Sequence, residues 1–363
     1  GEPARAMRSG WLGAALAIPF GVLVVVAALF GEHLFALLGG PAQVQALGHD
    51  YFAIRALGAG LLYVLVALCD YYQGTGDTKT PMKVNLLANV LNIALDPLLI
   101  FGLGPVPEMG VEGAAVATVI AQCSGMIYIL ALFVRKNGVP RSLAWDEVGE
   151  LIRLGLPMGA QSALGNGSFT VFTAMLARMG EAELAAHTVA IKIISVSFLP
   201  GYGLSETATI LVGQYVGARD IESARKSFRT CMAVAVGLMG VCGVVFFAVP
   251  GHLIGLFNGD PDVVRIGSSL LIVAAFFQVF DAVAMVGTGA LNGTGDTRFT
   301  MIAGAICSWI VLVPAAYVFA FVLGWGATGA WLGLTLEIAV VAVVVLIRFY
   351  GTGWEGKSIE AQS

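Results

Sequence analysis

The nine residues GTGDTKTPM, Gly74 to Met82, return 219 positions later as GTGDTRFTM, Gly293 to Met301, and both copies sit between long apolar stretches. The same shift pairs His33 with His252 and Leu37 with Leu256. A shift of 216 pairs GVEGA, Gly110 to Ala114, with GATGA, Gly326 to Ala330. A register held over that distance marks an internal duplication. Duplicated multi-helix units in a membrane point to transport, because two related bundles can frame a site near the bilayer midplane.

Composition agrees with a membrane chain. Of 363 residues, 58% are hydrophobic and only 12% charged, with a mean hydropathy of +0.87. That leaves too little polar surface to wet a globule. Spanning a hydrocarbon core of about 30 Å takes about 20 mostly apolar residues. Ten stretches qualify: 11–30, 51–72, 84–104, 114–134, 155–177, 184–216, 228–250, 268–290, 302–324 and 330–349. They are continuously apolar and lack the alternation of barrel strands, so helices are expected. The fold class expected is therefore an all-α integral membrane protein of two pseudo-symmetric bundles.

The halves differ in length. Ahead of the repeated region the second half carries two further spans, 155–177 and 184–216, with nothing to match them upstream in the first. The reading is ten helices of a twelve-helix, six-plus-six architecture whose first two are missing. Its parts are a first lobe at 1–137, a polar linker at 138–150, a second lobe at 151–352 and a tail at 353–363.

Basic residues set orientation. With the GTGDTK loop placed in the cytoplasm, that side collects 15 of the 19 Lys and Arg residues, including Lys79, Lys83, Arg135, Lys136, Arg141, Arg225, Arg298, Arg348 and Lys357. Arg55, Arg178, Lys192 and Arg265 remain for the other side. The positive-inside rule then puts the C-terminus inside, in the inner membrane of a bacterial cell. Five cysteines, without any CxxC pair, read as small packing residues.

An ionisable residue within a span costs about 2.5–3.5 kcal/mol on insertion scales, so each needs a function, a partner or the interface. In NVLNIALDPLL, Asn89, Asn92 and Asp96 stand three and four apart, on one helical face. A carboxylate flanked by carboxamides can offer oxygens to a cation or hold a proton. Thr118 in the next span can add another oxygen. The second constellation is Asp281, near mid-span, with Gln278 one turn earlier. Glu206, beyond the Pro200 break, either faces a cavity or approaches the cytoplasmic surface. Glu337, inside the last span, is left outside the candidate set. Asp77 and Asp296, in the repeated loops, are expected to cap the helices that follow or to bind nearby backbone donors. Bends are expected at Pro97, Pro157, Pro200 and Pro314.

Taken in order, GTGDTKTPM, NIALDP at Asn92 to Pro97, GVEGAAVATVI at Gly110 to Ile120, LGLP at Leu154 to Pro157, AAHTVA at Ala185 to Ala190, LVGQYVGARD at Leu211 to Asp220 and LNGTGDTRFTM resemble the multidrug and toxic compound extrusion (MATE) family over essentially the whole chain. The resemblance implies export of amphipathic, often cationic compounds in exchange for protons or sodium. In one branch of the family an Asn and an Asp four apart, with a Thr on the next helix, form a cation site, which matches Asn92, Asp96 and Thr118. In another branch an Asp matching Asp281 acts with a Glu and a Tyr, which here fall on Gly165 and Phe277. That departure favours coupling through the first lobe, with Asp281 a second proton carrier or a contact for cationic substrate.

The resulting expectation is a secondary active antiporter, not an enzyme, with no cofactor beyond a coupling H+ or Na+. Its partners are a small amphipathic substrate and the lipid bilayer, with no nucleic acid, and it is expected to be monomeric. A flippase for lipid-linked sugars is the related alternative and would line its cavity with cations. A membrane-embedded enzyme is the other, and would show paired DxxxD or HxxxH motifs, which no span contains.

Overall fold

Hydrocarbon offers no water to unpaired backbone groups, so a chain this apolar must close its hydrogen bonds within each segment. The computed structural model describes residues 3–38, 42–103, 107–140, 143 and 145–351, and among them no strand occurs. The helices are α1 (Pro3–Ala28), α2 (Gly31–Leu38), α3 (Ala42–Leu57), α4 (Ala59–Gly74), α5 (Lys79–Ile100), α6 (Gly110–Asn137), α7 (Val148–Ala177), α8 (Glu181–Gly217), α9 (Ile221–Ala248), α10 (Pro250–Gly255), α11 (Pro261–Gly293), α12 (Thr297–Ile306), α13 (Val313–Tyr317) and α14 (Gly326–Tyr350). Two π-helical turns, Cys307–Leu312 and Val318–Val322, join α12 to α13 and prolong α13, so Thr297–Val322 runs as one span. Large apolar side chains such as Leu29, Ile93 and Val244 are 68–76% exposed, as faces that meet lipid should be.

Among the described residues, all ten stretches read from the sequence lie in helices apart from short turns, mostly at their ends. Eight helices or helix runs are long and apolar enough to cross a membrane and the bent pair α3 and α4 makes a ninth, whereas the expected span 155–177, on α7, is long enough but not among those apolar enough. The expected single span 51–72 is in fact that pair, bent by 52° at Gly58. Glycine supplies no side chain to brace the turn, and Gly58 N bonds back only to Arg55 O, three residues earlier. The helices continue through Pro97, Pro157 and Pro200, and Pro314 lies in α13 between the two π turns. Arg141, Lys357 and the tail at 353–363 lie outside the described residues.

The chain divides into two compact units, Gly1–Gly149 and Glu150–Ser363. The duplication is legible in their element boundaries. Displaced by 219, the ends of α1, α2, α3 and α4 fall at or beside those of α9, α10 and α11. The short helices α2 and α10 both open at equivalent positions, Gly31 and Pro250, and neither was foreseen, although the paired histidines lie on them. In the first unit Trp11 Nε1 donates to Gly138 O at 3.1 Å and Arg5 pairs with Glu147 at 3.1 Å, fastening the polar segment to α1.

In the second unit α11 is the central helix, packed on α8, α9 and α14. It starts where Asp260 caps Asp262 N at 2.8 Å and Pro261 occupies the first turn. Its seam with α8 is made of small residues. A Cβ on Gly289 would lie 2.4 Å from Ser205 O, and one on Gly293 2.3 Å from Thr209 O. Ser205 Oγ and Thr209 Oγ1 donate across the seam to Met285 O at 2.7 Å and Gly289 O at 2.8 Å. Close backbone approach and hydroxyl bonds of this kind hold membrane helices together where hydrophobicity cannot.

The repeated loops have diverged in what their Asp residues do. Asp77 caps α5, accepting from Thr80 N at 3.1 Å and Thr80 Oγ1 at 2.7 Å. Asp296 makes no cap, contrary to expectation. It is 5% exposed and accepts from Arg348 of α14 at 2.6 and 2.7 Å, while the guanidinium lies 4.8 Å from the Phe299 ring. A carboxylate closed off from water takes the full charge of an Arg in preference to backbone donors.

Two outcomes follow for stability. Gly293→Leu is expected to lower the melting temperature of the detergent-solubilised protein, an overpacking cost of about 1–3 kcal/mol. Gly237→Leu, at a site with nothing within 4 Å, should stay within roughly 0.5 kcal/mol. The Thr80 hydrogen bonds hold the Asp77 carboxyl below its ordinary value, so its contribution is present above the unfolded value of about 3.9 and is lost as pH falls through the lower folded one. The melting difference between the native chain and Asp77→Asn should accordingly hold from neutral pH to about pH 4 and narrow below it. A difference that grows on acidification would contradict the assignment.

Candidate functional site

In the first unit α5 lies along α6, and this packing assembles Asn92, Asp96 and Thr118. Asn92 Nδ2 donates to Asp96 Oδ1 at 3.2 Å and to Thr118 Oγ1 at 3.4 Å. The Thr118 hydroxyl gives its own proton to Ala114 O at 2.8 Å, so its lone pairs turn toward α5. All three side chains are half-buried. The result is a knot of oxygens spanning two helices, held by one carboxamide, which suits a proton on Asp96 or a small hard cation. Asn89 does not join it. Its Nδ2 donates to Asn85 O at 2.9 Å on its own helix, and the residue is exposed.

One neighbour went unassigned in the sequence. Arg55, read as an outer-side charge, is half-buried at the end of α3 and donates to Gln122 Oε1 at 2.7 Å. Gln122 stands one turn beyond Thr118 on α6, so a guanidinium borders the same helix face. Its presence inside the span 51–72 was the available signal.

The second unit has a cavity of about 300 Å³ lined by Tyr202 and Ser205 of α8, Asp281, Ala284, Met285 and Thr288 of α11, and Glu337, Ile338 and Val341 of α14. Asp281 Oδ2 is shut off from solvent and has no hydrogen-bond partner. Glu337 Oε1 accepts from Ser308 Oγ at 3.4 Å, and Ser308 sits on the first π turn. Widened turns of this type often mark functional positions in helices.

The other second-lobe candidates lie elsewhere. Gln278 is fully buried one turn above Asp281, its Nε2 donating to Ser197 Oγ at 2.8 Å and its Oε1 unpartnered. Phe277 is core, with its ring 6.3 Å from that of Trp331. Glu206 is exposed on α8 and is not among the lining residues. Glu337, omitted from the candidate set, shares the cavity with Asp281. Its signal lay in the repeat, where a shift of 216 sets it opposite Ala121.

The two constellations are reciprocal. Asn92, Asp96 and Thr118 correspond to Val311, Ala315 and Leu334 in the second lobe, whereas Asp281 and Glu337 correspond to Leu62 and Ala121 in the first. Each copy keeps alkyl groups where the other keeps oxygens.

Comparison with known proteins is consistent along the chain. The family model described as MatE matches residues 1–98 and 157–318. The probable multidrug resistance protein NorM of Pseudomonas aeruginosa is 33% identical over 362 residues, covering 95% of this chain and 73% of that protein. The protein of the same name from Thermotoga maritima is 30% identical over 366 residues, covering 98% and 78%. Among solved structures, an outward-facing multidrug resistance MATE family transporter superposes with a TM-score of 0.86 at 21% identity, covering 98% of this chain and 79% of that one, which speaks for the fold. The resemblance read from the paired loops and the NIALDP stretch thus holds, and this chain belongs to the MatE family of multidrug and toxic compound extrusion transporters.

Proposed function

We propose that the chain is a secondary active antiporter that exports amphipathic, cationic small molecules in exchange for protons or sodium, with Asp96, Asn92 and Thr118 as the coupling site. The observation that carries this reading is the assembly of those three side chains across α5 and α6, where the second copy has Val311, Ala315 and Leu334. An acid in a span that lacks an ion-pair partner points to a functional site. Asp96 makes no ion pair among the described residues; its hydrogen-bond donor is the neutral Asn92. Ion binding there favours one state of the transporter and substrate favours another, so each drives the other's release.

The names of the NorM relatives, probable multidrug resistance proteins, support a drug-like substrate class. The second-lobe cavity supports a cationic one, since its lining includes two carboxyl groups and no basic side chain. That lining weighs against a flippase for diphosphate-linked sugars, which would need cations there. The distribution of Lys and Arg supports the cytoplasmic placement of the paired loops and of the C-terminus in a bacterial inner membrane. The protein acts as a monomer in this reading and requires no cofactor.

Efflux of a fluorescent cation from proteoliposomes, driven in turn by an imposed proton gradient and an imposed sodium gradient, identifies the coupling ion. Asp96→Asn should sharply reduce the response to whichever gradient works. A coupling free energy of about 1–3 kcal/mol corresponds to roughly a 5–150-fold effect of the ion on substrate affinity, and that linkage should be weakened in the variant. Thr118→Val should give a smaller loss in the same direction. Undiminished gradient-driven efflux by Asp96→Asn would refute the coupling site.

A further inference from the structure

Asp281 and Glu337 reach one cavity from different helices, α11 and α14. Two carboxylates in a low-dielectric cavity require compensating positive charge, either as protons or as a bound cation. The protein supplies none: no Lys, Arg or His lines the cavity, and neither acid makes an ion pair among the described residues. The other titratable groups nearby are Tyr202 of α8, which lines the cavity, and Cys307, next to Ser308 on the π turn. One oxygen, Asp281 Oδ2, is already stripped of water and left unpartnered. The remaining walls are apolar or aromatic, including Met285, Ile338, Val341 and Tyr202. Such walls suit the body of an organic cation, and a tyrosine face adds attraction for its charge. At about 300 Å³ the cavity is at the small end of ligand sites.

We propose that Asp281 and Glu337 form a two-charge exchange site that selects organic dications, Glu337 being the residue that sets the valence. When a dication enters, two protons leave the carboxyl groups for water, so the charge in the cavity is conserved. A monocation displaces one proton and leaves the other in place. The repeat supports a paired role, because the first lobe has apolar residues, Leu62 and Ala121, at both equivalent positions. The proposal rests on the reading of the chain as a cation exporter and adds the substrate's charge to it.

The test uses the full chain in detergent and in proteoliposomes with two probes of similar two-ring shape, the dication methyl viologen and the monocation N-methyl-phenylpyridinium. The native protein should bind both, releasing about two protons for the first and about one for the second, read by calorimetry in buffers of differing ionisation enthalpy. Glu337→Gln should weaken methyl viologen about tenfold or more and cut its proton release to about one. Monocation binding should weaken far less than dication binding, and an unchanged melting temperature in detergent certifies that the variant is folded. Glu337→Asp should restore the dication, and the double variant D281N/E337Q should lose both probes. Equal weakening of the two probes by Glu337→Gln, or no change in proton count, would overturn the valence role. If gradient-driven efflux of another cation is intact while the native protein binds neither probe, this site assignment fails and the exporter reading stands. If the native protein moves no cation under either gradient, the exporter reading itself fails.

Discussion

Charge cannot be left unattended in hydrocarbon, and that constraint orders the whole molecule. It drives the backbone into helices, because any other conformation would strand polar groups away from water. It also makes the few polar side chains informative. Asp296 answers the constraint with Arg348, and Asp77 with the first turn of α5. Asp96 is met by a neutral carboxamide and Asp281 Oδ2 by no hydrogen-bond partner at all. The first two are met by full charge or by backbone donors, whereas the last two have no cationic partner among the described residues.

Duplication explains how one chain carries two such places without symmetry between them. The copies share element boundaries to within a residue or two over most of their length, from the α1 and α9 pair to the glycine that ends α4 and α11. Within that shared frame the oxygens have been dealt out once each, to α5 and α6 in the first copy and to α11 and α14 in the second. Even the change of register from 219 to 216 has a structural account. The span beginning at Thr297 is lengthened by two π turns, and the link that follows it to Gly326 is shorter than the one between Ile100 and Gly110.

Much of this was legible in the residues themselves. Long apolar stretches, the repeated GTGD loops and the three-and-four spacing of Asn92 and Asp96 are local signals, and local signals survive without coordinates. What escaped were consequences of packing between helices. Nothing in the sequence near Glu337 shows that it meets Asp281, more than 50 residues away, nor that Asp296 trades its cap for Arg348. Asn89 has the right spacing, but its carboxamide folds onto Asn85. The break at Gly58 was hidden for another reason, since an isolated glycine in an apolar run is tolerated in membrane helices as often as it bends them.

That break separates the copies mechanically as well as chemically. At the position of Gly58 the second copy has Phe277, buried against Trp331 in an unbroken 33-residue helix. The first copy therefore carries a fixed change of direction, flanked by the Arg55 and Gln122 contact, while its twin has a continuous helix held to α8 by close glycine contacts. The bend is thus a property of one copy alone, and common ancestry did not impose it on the other.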